Sequence, residues 1–125
     1  IIIGHSFGGL IVTLFSESWE STFPINAHAI ASGLAKSKFD RKYLNCENPK
    51  KPKYDISKYV EYKQWRTIKD QDGIFKRLNN DPQVVTFING KTTLLPKRWK
   101  NTRVGHNFSI LVVSDIILSD LQKNK

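Results

Sequence analysis

Cysteine is almost missing from this chain: Cys46 stands alone among 125 residues. One cysteine excludes an internal disulfide and a cysteine-based metal cluster. It fits a reducing compartment, so the cytoplasm is the expected location. Long apolar runs are missing too, and no stretch reaches the roughly 20 residues that a membrane-spanning helix needs. The N-terminus lacks the basic region and cleavage site of an export signal, and "IIIGHSFGGLIVTLF" is broken by glycines, His5 and Ser6. Residues 1–35 contain no lysine or arginine. Internal repeats and low-complexity tracts are absent. What remains is an ordinary globular composition, 39% hydrophobic and 25% charged, enough for one small core. The chain opens on Ile1 rather than methionine, which suggests either a start that has been removed or a piece of something larger.

The net charge is +9. The positive residues begin at Lys36, run densely to Lys58, are more scattered from Lys63 to Lys91, and cluster again at Lys97, Arg98, Lys100 and Arg103 and at the C-terminal Lys123 and Lys125. Such a distribution suits a phosphate backbone or an anionic lipid surface. No helix-turn-helix, zinc-finger or RNP-like pattern accompanies it, so nucleic acid is not the expected partner. A solvated surface with basic loops is the simpler account.

Three zones follow from the pattern. In residues 1–35, Ile1–Ile3 reads as the end of a buried strand and Gly8 to about Glu17 as a helix. "INAHAIASG" then reads as a second strand, with Ile25, Ala27, Ala29 and Ala31 on one face. His28 inside it is expected to be a packed or hydrogen-bonded core residue. Residues 36–80 begin as a basic loop interrupted by Pro49 and Pro52. Tyr59, Tyr62 and Trp65, at three-residue steps, then predict one or two short helices with an apolar face, packed as core or acting as a lid. In residues 81–125, "DPQVVTFING" reads as a strand and a largely apolar helix closes the chain. Ile110, Val113, Ile117 and Leu121 share one face of that helix. Further apolar residues lie off it, which predicts burial on several sides.

Chemistry concentrates at Gly4-His5-Ser6-Phe7-Gly8. A serine hydroxyl is a weak nucleophile until a base takes its proton and donors hold the developing oxyanion. A sharp strand-to-helix turn places the serine at an exposed apex, with the helix N-terminus favouring negative charge. Gly4 and Gly8 are expected to let strand and helix approach closely. The Phe7 amide is the candidate oxyanion donor. Gly-x-Ser-x-Gly arises by chance in roughly 4% of chains this long, and the flanking strand and helix patterns make chance less credible.

"GHSFGGL" resembles the nucleophile elbow of the α/β-hydrolases. Within them the chain is similar to monoacylglycerol lipases and lysophospholipases through the spacing from the elbow to "LNNDPQVV". It is similar to acyl thioesterases through "FPINAHAIASG" and "GHNFSIL". The resemblance implies an α/β fold with a mostly parallel sheet, a single domain that starts at the elbow, and earlier strands lying before Ile1. It also implies His106 in "RVGHNF" as the base, with no cofactor and no metal. His5, next to Ser6, is expected to point away from the hydroxyl.

The acid is expected after the strand that precedes the histidine segment. With "VVTFING" as that strand, Thr92 and Thr93 occupy the place, and no Asp or Glu lies between Asp81 and His106. Asp81 and Asp72 are the nearest upstream candidates, and Asp81 is taken as the third member with Ser6 and His106. The function expected is hydrolysis of acyl esters, or alternatively thioesters. A hydrolase remnant that binds a partner or an anionic lipid surface is the non-catalytic alternative. An exposed edge strand and apolar helix faces would favour association with the missing half or self-association.

Overall fold

The N-terminal isoleucines enter a parallel sheet, and the glycines after them release the chain into a helix. The computed structural model describes residues 1–38, 40 and 48–123, so Cys46 lies outside the described residues. Strand β1 (Ile2–His5) turns at Ser6 into α1 (Phe7–Ser18), and β2 (Ile25–Ile30) follows. Then come β3 (Lys53–Asp55), β4 (Val60–Arg66), a 3-10 turn (Lys69–Gln71), β5 (Thr86–Ile88) and β6 (Gly90–Leu94). A hairpin of β7 (Arg98–Trp99) and β8 (Thr102–Arg103) leads to α2 (Ser109–Lys123).

The main sheet has the order β1-β2-β4-β6, and every pairing in it is parallel. Gly4 lies beside Ala29, Ile30 beside Trp65, and Arg66 beside Leu94. The ladder continues one residue past each strand, through Ser6 N–H to Ile30 O at 2.8 Å, Ala31 N–H to Trp65 O at 2.9 Å and Leu95 N–H to Arg66 O at 2.7 Å. The carboxyl ends of the strands are therefore level, and Ser6, Ala31, Thr67 and Leu95 share one rim. β3 and β5 form a separate parallel pair. This α/β architecture, with a mainly parallel sheet, agrees with the expected class.

The side chains of β2 alternate between two cores. Ala27 and Ala29 pack with Leu10 of α1, Tyr54, Ile56, Val60 and Tyr62. Ile30 and Trp65 pack with Leu95, Val104, Val112 and Val113, so α2 covers the other face. Ala27 and Ala29 serve close helix packing as expected. Ala31 does not continue their row: it has left the strand with φ 50° and joins the second core. His28 accepts a hydrogen bond from Trp65 Nε1 at 3.1 Å.

Three expectations change. The segment at 59–66 is a strand, not a helix: Val60, Tyr62 and Gln64 are buried on alternate positions, a period of two. Tyr62 and Trp65 are therefore core residues on β4, and the Tyr62 hydroxyl meets Thr13 Oγ1 at 2.6 Å. The strand expected at 81–90 is reduced to β5, while the sheet strand is β6, "GKTTL". Helix α2 buries Val112 and Val113, but Ile110, Leu111, Leu118 and Leu121 are exposed, so it is covered on one side only. At the opposite edge, β1 pairs with β2 alone, and Ile1, Ile3, Phe7, Ile11 and Phe15 are exposed. Among the described residues no helix is long and apolar enough to cross a membrane.

Candidate active site

Ser6 sits at the turn from β1 to α1 with φ 57° and ψ −120°. A non-glycine residue in this region carries strain of about 1–3 kcal/mol, so the surrounding contacts must enforce it. They do so through Ser6 N–H on Ile30 O and Gly9 N–H on Ser6 O at 3.0 Å. The turn is crowded at Gly4, where a Cβ would lie 2.1 Å from the Gly8 carbonyl oxygen. At Gly9 it would lie 1.7 Å from Ser32 Oγ. Gly8 differs from expectation, because a Cβ there would meet nothing within 4 Å. The close approach is carried by Gly4 and Gly9. Phe7 opens α1, so its N–H has no acceptor one turn back within the helix.

His106 lies in the loop between β8 and α2 and is 9% exposed. Its Nδ1–H donates to Asp72 Oδ2 at 2.9 Å. This assigns the proton to Nδ1 and leaves the Nε2 lone pair to accept one. Phe75 packs edge-on against the ring at 5.3 Å between centroids. The His106 carbonyl accepts from Ser109 Oγ at 2.6 Å and from His5 Nε2–H at 2.8 Å. The elbow and the histidine loop thus touch directly, one residue from Ser6. His5 takes a role the sequence did not suggest, tying Ser6's neighbour to the histidine backbone. Burial lowers the affinity of His5 for a second proton, and repulsion from His106 adds to this against the opposing carbonyl bond and Asp72. A neutral His5 with its proton on Nε2 is the form that makes this bond.

The carboxylate beside His106 belongs to Asp72, not Asp81. Asp72 is fully buried in the loop after β4. Its Oδ2 accepts from His106 and from Thr67 Oγ1 at 2.6 Å, and its Oδ1 accepts from the amides of Ile74 at 2.9 Å and Phe75 at 3.1 Å. Asp81 faces elsewhere: it pairs with Arg66 at 3.3 Å and accepts from Gln83 N–H at 3.0 Å and Gln83 Nε2 at 3.1 Å. The sequence placed the carboxylate after the wrong strand because β4 carried a helical spacing of aromatics.

Burial alone would raise the Asp72 carboxyl. The hydrogen bonds from His106 and Thr67 outweigh it and hold the group below the ordinary aspartate range. Asp40 behaves alike, with the Lys50 ammonium and the Ser37 amide opposing burial. A carboxyl depressed in the folded state adds stability above its unfolded value of about 3.9 and loses it as the pH falls through the folded value. Stability toward denaturant is therefore expected to drop steadily below about pH 4. Asp72→Asn should flatten that dependence in urea titrations, and an unchanged slope would remove Asp72 from the account.

A cavity of about 750 Å³ lies beside residues 35–38 and 77–82, with Lys36, Lys38 and Arg77 on its wall. Ser6, Asp72 and His106 do not line it. Its two acids are engaged, Asp40 with Lys50 and Asp81 with Arg66. Among the described residues no three His, Cys, Asp or Glu side chains gather as metal ligands. No family model, curated protein or solved structure matches the chain.

Proposed function

We propose that the chain is a serine hydrolase of the α/β-hydrolase type that cleaves acyl esters. The observation that carries this reading is the buried Asp72–His106 pair, with the imidazole Nε2 left as acceptor and its loop bonded to the elbow through His5. Ser6 Oγ attacks the acyl carbonyl as His106 Nε2 takes the hydroxyl proton. Asp72 keeps the Nδ1 proton in place and stabilises the imidazolium that forms. The Phe7 amide holds the carbonyl oxygen as it becomes negative. His106 then returns the proton to the leaving alcohol, and water releases the acyl group by the same steps in reverse. A thioester presents the same carbonyl to Ser6 and is the alternative substrate. The cationic cavity wall supports attraction to an anionic lipid surface. The contact between Asp72 and His106 supports the catalytic reading over the non-catalytic remnant.

Labelling with a fluorophosphonate probe tests the reading. The expected result is one covalent adduct on Ser6, lost in Ser6→Ala, with both proteins melting at similar temperatures. Absence of labelling in the folded wild-type protein would sink it.

A further inference from the structure

Gln83 is fully buried and outside the set of residues that a hydrolase mechanism needs. Its amide grips the backbone of Thr67 from both sides. Oε1 accepts the Thr67 N–H at 2.9 Å, and Nε2 donates to the Thr67 carbonyl at 3.0 Å. Gln83 is itself held, because its carbonyl accepts from Gln64 Nε2 at 2.6 Å and its N–H and Nε2 both reach Asp81 Oδ1. Thr67 is the first residue past β4, on the rim where the ladder runs out. There the Gln83 side chain replaces a neighbouring strand. We propose that Gln83 is a positioning residue that, by holding Thr67 in place, tempers the hold of the Asp72 carboxylate on His106.

The chain of contacts is short and each link is directional. The Thr67 hydroxyl has one proton. Its 2.6 Å contact with Asp72 Oδ2 takes that proton in preference to the 3.3 Å contact with Gln83 Oε1. Thr67 and His106 therefore donate to the same carboxylate oxygen. Each donor spreads part of the negative charge of that oxygen, so the Thr67 bond weakens the hold of Asp72 on the imidazolium. If the Gln83 clamp is lost, the Thr67 backbone is free to rotate its hydroxyl away. Asp72 then concentrates its charge on His106, which binds its proton more tightly. The other titratable groups around the pair are His5 on β1, Lys69 and Asp70 on the Asp72 loop, and the Asp81–Arg66 ion pair beyond Gln83. Helix α2 presents only the Ser109 hydroxyl to the His106 carbonyl.

The inference takes its meaning from the hydrolase reading, but its test does not depend on turnover. NMR titration of the His106 ring in the full chain reads the coupling directly. Thr67→Val should raise the midpoint by about one pH unit, and Thr67→Ser should leave it near the wild-type value. Gln83→Met, which keeps the volume and loses the amide, should raise it in the same direction. The double variant Thr67→Val with Gln83→Met should match Thr67→Val alone. If Gln83→Met fails to fold, Gln83→Asn, which withdraws the amide by one methylene, should still move the midpoint upward. A midpoint that stays put in the folded Gln83 variant while the melting temperature falls would make Gln83 a purely structural residue and overturn the proposal. Full additivity in the double variant would overturn it as well. Failure of fluorophosphonate labelling in the wild type would remove the hydrolase reading and leave this coupling intact.

Discussion

Asp72→Asn is expected to slow acylation of Ser6 by about 10⁴-fold while leaving the fold in place. The size of the effect follows from the proton on His106. A carboxylate accepts the Nδ1–H and so keeps the lone pair on Nε2. An amide in its place offers an NH₂ group to Nδ1, which favours the other tautomer and puts a proton where the lone pair is needed. Asp81→Asn is the control. It keeps an oxygen for Gln83 and loses the charge and the hydrogen-bond acceptor opposite Arg66, an ion pair near the surface. A loss smaller than about tenfold is expected there. Single-turnover labelling rates of the two variants decide the matter, and equal losses would show that the carboxylate on His106 plays no part.

The second large effect concerns the elbow backbone. A Cβ at Gly4 would lie 2.1 Å from Gly8 O, 2.4 Å from Gly8 C and 2.8 Å from Gly9 N. All three are backbone atoms, so no side-chain rotation relieves the overlap. Either β1 or the start of α1 must move, and both are held by the sheet ladder and by the Leu10 packing. Gly4→Ala is expected to destabilise the protein by more than about 3 kcal/mol. Gly8→Ala should do the reverse: its Cβ meets open space in a helical position, and the loss of backbone freedom in the unfolded chain adds about 0.5–1 kcal/mol of stability. Chemical denaturation of both variants measures the two signs, and similar destabilisation in both would contradict this account of the turn.

These two sites differ in how far the sequence revealed them. The elbow is local: its strand, its turn residue and its helix are consecutive, so Gly4, Ser6 and the α1 pattern could be read together. His106 could be placed by order along the chain. The carboxylate beside His106 was legible only as a choice between Asp72 and Asp81. Its selection depended on recognising β4, and Tyr59, Tyr62 and Trp65 imitate helical spacing although only Tyr62 and Trp65 lie in the strand. β6 gave still less signal, because a strand at the edge of a sheet can carry Lys91, Thr92 and Thr93 without an apolar alternation. The roles of His5, Thr67 and Gln83 rest on contacts between distant segments and had no sequence signature.

The bond from His5 to the His106 carbonyl spans 101 residues of chain, and the one from His106 to Asp72 spans 34. The elbow is synthesised about 100 residues before the histidine loop. Parallel strands add long-range closures that slow folding further. A chain made only as far as β6 therefore lacks the loop whose carbonyl His5 bonds. If the chain is the hydrolase proposed above, His106 and Asp72 can act together with Ser6 only once the loop before α2 has been made and has docked.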